Sequence, residues 1–329
     1  MKKILKRFLC LTIAASCLLS GNMMSVHADS PRIYGDVNQN GTITSKDALM
    51  TLLNVIGEYE FTDEQLTIAD INDDGAVDAK DAHLILLCAV GLQTSFRIDE
   101  FKASGTIWIA ADSIAEGGGS YVGWGQVIGN YLKDGAKVNN TALSGRTARY
   151  YMKDENYDRI FEEMQPGDIL FIAFGHNDSK GGTDPYGASS DPKAFKYYLK
   201  YYYIEPTLRR GGMPILMTSV ARCRDIYVGG EVKQYHWLYI KAARELAEEY
   251  KELGIEIGFI DMFDMTFNEY LHIGQSTARS KYHTDEIHYR RAGAEFASQL
   301  ILYSINQKGW DFSRFIDMDK VEDPRTYPR

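Results

Sequence analysis

Five residues scattered along the chain have side chains or backbone groups suited to acyl transfer. Ser113 lies in Ala111-Asp112-Ser113, Gly145 in Ser144-Gly145-Arg146, and Asn177 in Gly175-His176-Asn177-Asp178, while Asp285 and His288 share Asp285-Glu286-Ile287-His288. A serine hydroxyl is a poor nucleophile until a neighbouring imidazole can take its proton. The imidazole works best when a carboxylate fixes its tautomer and stabilises the cation that forms. Asp285 and His288, on one turn of chain, can supply that pair. A tetrahedral intermediate also needs donors waiting where the oxyanion develops. The backbone N–H groups of Ser113 and Gly145 and the Asn177 amide offer three. Each fragment alone is weak evidence, because serines and glycines crowd every strand-to-helix turn. All of them in order are hard to explain by accident.

The first three fragments each follow an apolar run of strand length. Such runs occur at 106–110, 138–143, 169–174, 214–219 and 255–260, and amphipathic stretches separate them at 146–164, 193–209, 235–253 and 290–306. Nearly continuous apolar strands alternating with helices predict an α/β domain whose parallel sheet is covered on both faces. In such open sheets functional groups collect beyond the carboxyl ends of the strands. The candidate chemistry falls there.

On these fragments, residues of about 105–305 resemble an SGNH (GDSL-like) hydrolase, and the domain is bounded at 105–310 with a tail at 311–329. The resemblance implies a three-layer α/β/α, flavodoxin-like fold and no catalytic cofactor. It also implies Ser113 and His288 as the reacting pair, Asp285 as orienter, and Ser113, Gly145 and Asn177 as the oxyanion hole. Ala111 replaces the glycine of the usual Gly-Asp-Ser, which would strain the turn if that position needed positive φ. Gly123-Trp124-Gly125-Gln126, Gly145-Arg146, Gly175-His176-Asn177-Asp178, Ser219-Val220-Ala221-Arg222 and Asp285-x-x-His288 are similar to the rhamnogalacturonan acetylesterases. A rhamnogalacturonan backbone is a polyanion. Arg146, beside the oxyanion glycine, and Arg222, just past the fourth strand, are therefore expected to grip galacturonate. The alternative is that they brace loops through internal salt bridges. His176 fits a supporting or a packing role, and His236 a cap or cleft-wall role. His283 is the substitute base should His288 not be the one. Tyr197, Tyr198, Tyr201, Tyr202 and Tyr203 read chiefly as packing.

Nearer the N-terminus the segments 36–57 and 70–91 repeat one another. The first loop offers Asp36, Asn38, Asn40, Thr42 and Asp47 around Gly41, and the second Asp70, Asn72, Asp74, Ala76 and Asp81 around Gly75. Oxygens at loop positions 1, 3, 5, 7 and 12, with glycine at 6, suit Ca²⁺, which takes about six to eight hard oxygen ligands. Each loop runs into a helix closed by a glycine, Gly57 or Gly91, and Pro31 and Gly35 disfavour an entering helix before the first. Residues 33–92 resemble a type I dockerin: loop, exiting helix, linker, loop, exiting helix. The resemblance implies two structural calcium ions and a cohesin module of a scaffolding protein as partner. Partner choice there is attributed to positions 10 and 11, here Ser45-Lys46 and Ala79-Lys80. A connector follows at 93–104.

The first 28 residues read as a secretory signal. Lys2, Lys3, Lys6 and Arg7 precede an apolar stretch too short to span a bilayer, and Val26-His27-Ala28 suits cleavage. Removing them leaves 32 Lys/Arg against 45 Asp/Glu, a net charge of −13. That acidity disfavours nucleic acid, and no later segment is long and apolar enough for a membrane. Cys88 and Cys223 then remain in different segments and read as buried small residues. The expected protein is a secreted deacetylase of plant cell-wall polysaccharide, at the cell surface or in a cellulosome-type assembly. An acetylxylan esterase is the nearest rival. A lipase or thioesterase, or an inactive structural subunit, is further off.

Overall fold

The computed structural model describes residues 34–72, 75–90, 101–180, 191–223, 236–253 and 255–327. The expected signal segment, most of the connector, Asp74 and Gly91 lie outside the described residues.

The first described segment holds α1 (Ser45–Val55), α2 (Asp63–Ala69) and α3 (Ala79–Ala89). The last position of each loop also caps the first turn of its helix. The Asp47 carboxylate accepts from Thr44 N at 2.9 Å, and that of Asp81 from Asp78 N at 2.8 Å, each half of a capping box. Gly41 and Gly75 both sit at φ +89°, the sharp turn the repeat calls for. Val37, Ile68, Ile71, Leu84 and Ile85 are buried. Helix α2 corrects the expected layout, since the linker is itself a helix leading into the second loop. Thr62 and Gln65 box its N-terminus, with Gln65 N donating to Thr62 Oγ1 at 3.2 Å and Thr62 N to Gln65 Oε1 at 3.1 Å.

Beyond it, five strands form one parallel sheet: β1 (Thr106–Ala111), β2 (Lys137–Asn140), β3 (Ile169–Ala173), β4 (Met213–Met217) and β5 (Gly258–Ile260). Their order is β2-β1-β3-β4-β5, the flavodoxin-like arrangement expected from the sequence. Alternation along each strand makes the three layers. Ile107, Ile109, Phe171, Ile215 and Met217 pack on one face with Leu300 and Ile301 of the last helix. Trp108, Ala110, Leu170, Ile172 and Leu216 pack on the other with α4 (Glu155–Glu163), α5 (Pro192–Tyr198) and α6 (Trp237–Glu252), through Ile160, Phe195 and Leu246. Trp108 is buried, and its indole N–H donates to Asp168 at 2.9 Å.

Polar side chains end the second predicted strand early. The second strand stops at Asn140, whose amide turns to Ala115 O at 3.0 Å, and Thr141 Oγ1 donates to Ile109 O at 2.7 Å. The predicted helix over 193–209 continues from α5 as a π-helix over Leu199–Ile204. Pro206 lacks the N–H that would reach Tyr202 O, and Tyr157 Oη donates to that carbonyl instead at 2.9 Å. Between β5 and the last predicted helix lie α7 (Met262–Ile273) and α8 (Gln275–Tyr282), parted at Gly274, φ +82°. The final helix, α9, spans Arg291–Gln307.

Candidate active site

Strand β1 ends at Ala111, and Asp112 then caps a one-turn helix, its Oδ1 accepting from Ile114 N at 3.0 Å. Ser113 is the first residue of that turn. Ala111 carries no strain: it is the last strand residue, paired with Ala173, and among the described residues Gln39 alone has positive φ without being glycine. Ser113 Oγ lies 3.0 Å from His288 Nε2, and His288 Nδ1 lies 2.7 Å from Asp285 Oδ2. The other carboxylate oxygen, Asp285 Oδ1, accepts from the backbone N–H groups of Ile287 and His288, both at 2.7 Å. Burial acts to raise the Asp285 carboxyl, but the hydrogen bonds from the His288 ring and from these two N–H groups outweigh it. They hold Asp285 below the ordinary carboxylate range, so it stays ionised beside the imidazole.

The oxyanion candidates come from the next two strand ends. Gly145 has φ +75°, a left-handed value that only glycine adopts without cost. The Asn177 amide is fixed at both ends: Nδ2 donates to Arg146 O at 3.0 Å, and Oδ1 accepts from Lys180 Nζ at 2.7 Å. One Nδ2 hydrogen remains to be aimed elsewhere. Asp178 ties the loops together, its oxygens accepting from Ala148 N at 3.0 Å and Gly175 N at 3.1 Å. Burial pushes this carboxyl up to about 7 against those bonds, and burial likewise raises Asp112 to about 6.

The two predicted substrate arginines are placed otherwise than expected. Arg222 is 2% exposed, and its guanidinium donates to His176 Nδ1 at 3.1 Å, His176 O at 2.9 Å and Ser179 Oγ at 2.7 Å. Arg146 is half-buried in a two-pronged pair with Asp154, at 2.6 and 2.9 Å. Both therefore brace loops, and the expectation that they reach a galacturonate is corrected by burial in one case and by a competing carboxylate in the other. The reversal also settles His176. A guanidinium only donates, so Nδ1 must accept and the ring is neutral with its proton on Nε2. Burial, then the nearby Arg222 charge, pushes its pKa well down, in the same direction. His283 is fully buried, engaged by Tyr270 Oη at 2.9 Å and Ile287 O at 3.2 Å, and held down to about 4 by burial. It does not reach the serine. His236 stands at the N-cap position of α6, its ring 5.1 Å from that of His176. Trp124 is core, 6.1 Å from Phe171 between ring centroids. Of the five tyrosines, Tyr203 is buried and donates to Ala148 O, whereas Tyr197 and Tyr201 are exposed. No disulfide joins Cys88 and Cys223.

Two groups that sequence reasoning missed flank the triad. Lys180 puts a cation on the far side of the Asn177 amide. Tyr121 lays its ring on the His288 imidazole, 4.4 Å between centroids. Nothing in the local sequence sets Tyr121 apart, because its contact is made between distant loops, whereas Lys180 stands three residues after Asn177 and could have been found from that spacing.

Residues 112–296 match the GDSL-like Lipase/Acylhydrolase family, and residues 34–86 match the Dockerin type I domain. The chain is 26% identical over 216 residues to the Bacillus subtilis (strain 168) protein named "Probable rhamnogalacturonan acetylesterase YesY", across 62% of this chain and 93% of that one. It is 27% identical over 202 residues to "Rhamnogalacturonan acetylesterase RhgT" of the same strain, across 57% of this chain and 82% of that one. The crystal structure of the YxiM protein from Bacillus subtilis aligns with a TM-score of 0.54 at 25% identity, over 63% of this chain and 58% of that one.

Proposed function

The chain belongs to the GDSL-like lipase/acylhydrolase family, and from that premise we propose that it is a carbohydrate esterase releasing acetyl groups from plant cell-wall polysaccharide. The observation that carries the reading is the hydrogen-bonded line Ser113–His288–Asp285, at 3.0 and 2.7 Å. Ser113 Oγ attacks the acetyl carbonyl while its proton passes to His288 Nε2. The imidazolium, steadied by Asp285, gives that proton to the sugar oxygen as the ester C–O bond breaks. Water, deprotonated by the same imidazole, then releases acetate, and the proton returns to Ser113. The N–H groups of Ser113 and Gly145 and the Asn177 amide serve the oxyanion in both halves. A preference for acetate over longer acyl chains on p-nitrophenyl esters is the test against a lipase or thioesterase.

The polysaccharide we favour is rhamnogalacturonan, supported by the names of the two Bacillus subtilis relatives. The internal pairing of Arg146 and Arg222 favours a second reading, an uncharged acetylated xylan, since it removes the two cations singled out for a polyanion. Acetate release from acetylated rhamnogalacturonan and acetylated xylan, measured at low and high salt, separates them. At long range a protein of net charge −13 after cleavage repels a polyanion, within a screening length of about 8 Å at physiological ionic strength. Faster release from the rhamnogalacturonan, rising with salt, is expected. Faster release from xylan, with neither rate moved by salt, would leave an esterase of neutral polysaccharide.

Residues 33–92 we read as the module that fastens a secreted enzyme to a cohesin. The loops fit calcium: Asp36 and Asp47 are buried carboxylates, and Gly41 N and Gly75 N donate to Asp36 and Asp70 at 2.7 and 3.1 Å, folding each loop around its first oxygen ligand. Asp36, Asn38, Asn40, the Thr42 carbonyl and Asp47 would hold one ion, and Asp70, Asn72, Asp74, the Ala76 carbonyl and Asp81 the other. Bound there, Ca²⁺ would cross-link each loop to the start of its helix. The second loop has three ligand carboxylates, Asp70, Asp74 and Asp81, against two in the first, so calorimetry should find it the tighter site. Chelation should unfold this module, abolish cohesin binding and leave ester hydrolysis intact. An esterase silenced by chelator would contradict that division of labour.

A further inference from the structure

We propose that Tyr121 is a positioning residue for the catalytic base, holding the His288 imidazole at the angle from which it trades protons with Ser113 and the departing alcohol. The inference rests on the esterase reading above. Its starting point is how little else steadies the base. The Asp285 side chain is 54% exposed and that of His288 27% exposed. A carboxylate–imidazole bond at that exposure is screened by water and yields easily. It also fixes one ring atom only, so the imidazole can still pivot about the line from Nδ1 to the carboxylate. Tyr121 blocks that pivot: its ring lies over one imidazole face, 4.4 Å away and inclined by 33°.

Tyr121 can do this because it is itself held. Its Oη is 2.7 Å from Ser144 Oγ, and Ser144 Oγ is bonded in turn to the Glu116 carboxylate. Carboxylates only accept, so Ser144 gives its proton to Glu116 and Tyr121 gives its own to Ser144. The direction of the chain is thereby fixed. Backbone bonds hold the tyrosine from the other side: Gly118 N to Tyr121 O at 3.0 Å, Tyr121 N to Gly118 O at 3.2 Å, and Val122 N to Tyr289 O at 2.9 Å. The last of these joins the tyrosine segment to the residue next to His288. Ser144 precedes Gly145, so the same chain links the base to the oxyanion loop.

The test compares two acetates with no sugar ring to stack on the tyrosine. Nitrophenolate leaves p-nitrophenyl acetate without needing a proton, whereas ethyl acetate must receive one from His288. Tyr121→Ala should lower kcat on p-nitrophenyl acetate about tenfold with KM held within about twofold, and lower kcat/KM on ethyl acetate about tenfold further, the scale of a slightly misplaced catalytic group. Tyr121→Phe and Ser144→Ala cut the anchor from its two ends. Each should cost about threefold, and the double variant no more than either alone. A rise in KM alone, an equal loss on both esters, or no loss would overturn the proposal. Should Tyr121→Ala not fold, the Phe and Ser variants decide by themselves, since additive losses would show that no shared anchor exists. If the unmodified enzyme hydrolyses neither ester, or does so without Ser113, it is the esterase reading that fails.

Discussion

Ser113→Ala should lower kcat by about 10⁴-fold or more, because members of a triad act as a unit and the loss of one removes nearly the whole covalent route. The residual rate then reflects binding and the oxyanion donors alone. Folding should hardly notice. Ser113 sits on a one-turn helix beyond β1, and its one side-chain partner among the described residues is the His288 ring. The measurement is acetate release and thermal melting on the same purified variant. Retained activity with an unchanged melt would remove the serine mechanism altogether.

Changes to the base and its orienter should differ from one another. His288→Ala is expected to equal the serine variant, since among the described residues no other imidazole bonds to Ser113 Oγ. His283, the nearest in sequence, spends both ring nitrogens on Tyr270 and Ile287 and lies low at about 4, while His176 is committed to Arg222. Asp285→Asn should be gentler by a factor of about a hundred, the usual gap between losing an orienter and losing a proton carrier. An amide can still accept the two backbone N–H bonds through its oxygen, so the turn survives the change. Its NH₂ would then face His288 Nδ1 and select the wrong tautomer, with no charge to steady the imidazolium. Single-turnover acylation on p-nitrophenyl acetate checks the order of the three variants. A mild His288→Ala variant would require a base from outside the line described.

Much of the fold could be read from the chain because its signals are local. Apolar runs such as Ile107–Ala111 and Ile169–Ala173 announce buried parallel strands, and the glycines at 41 and 75 announce the loop turns. The motif residues Ser113, Asp285 and His288 could be named for the same reason, each standing just past or within a short recognisable fragment. Where the reading of the arginines failed, the deciding partner lay outside the motif. Arg222 looks like a rim cation until His176 and Ser179 are found around its guanidinium, and Arg146 until Asp154 is. Helix α2 hid in a linker because its evidence is a capping box only two turns long. Tyr121 could not have been singled out, since the contact that gives it meaning joins separate loops, whereas Lys180 meets an amide three residues before it and lay within reach of a local reading.

The acid and the base ride on a single short turn, and that turn is pinned all round. Thr284 N and Cys223 N donate to His288 O and Glu286 O at 2.9 Å each, and the Arg290 guanidinium clasps His283 O. Mechanically, the backbone of the dyad is a rigid rider, and its one internal joint is the ring pivot that Tyr121 blocks. The machinery therefore has one adjustable gap where a triad built from three separate loops would have two: the 3.0 Å between rider and nucleophile. The backbone that carries the carboxylate and the imidazole keeps its own geometry, while the tilt of the ring depends on Tyr121. Drift in the surrounding loops, by mutation or by heat, reaches the chemistry through that spacing and through the Tyr121 ring.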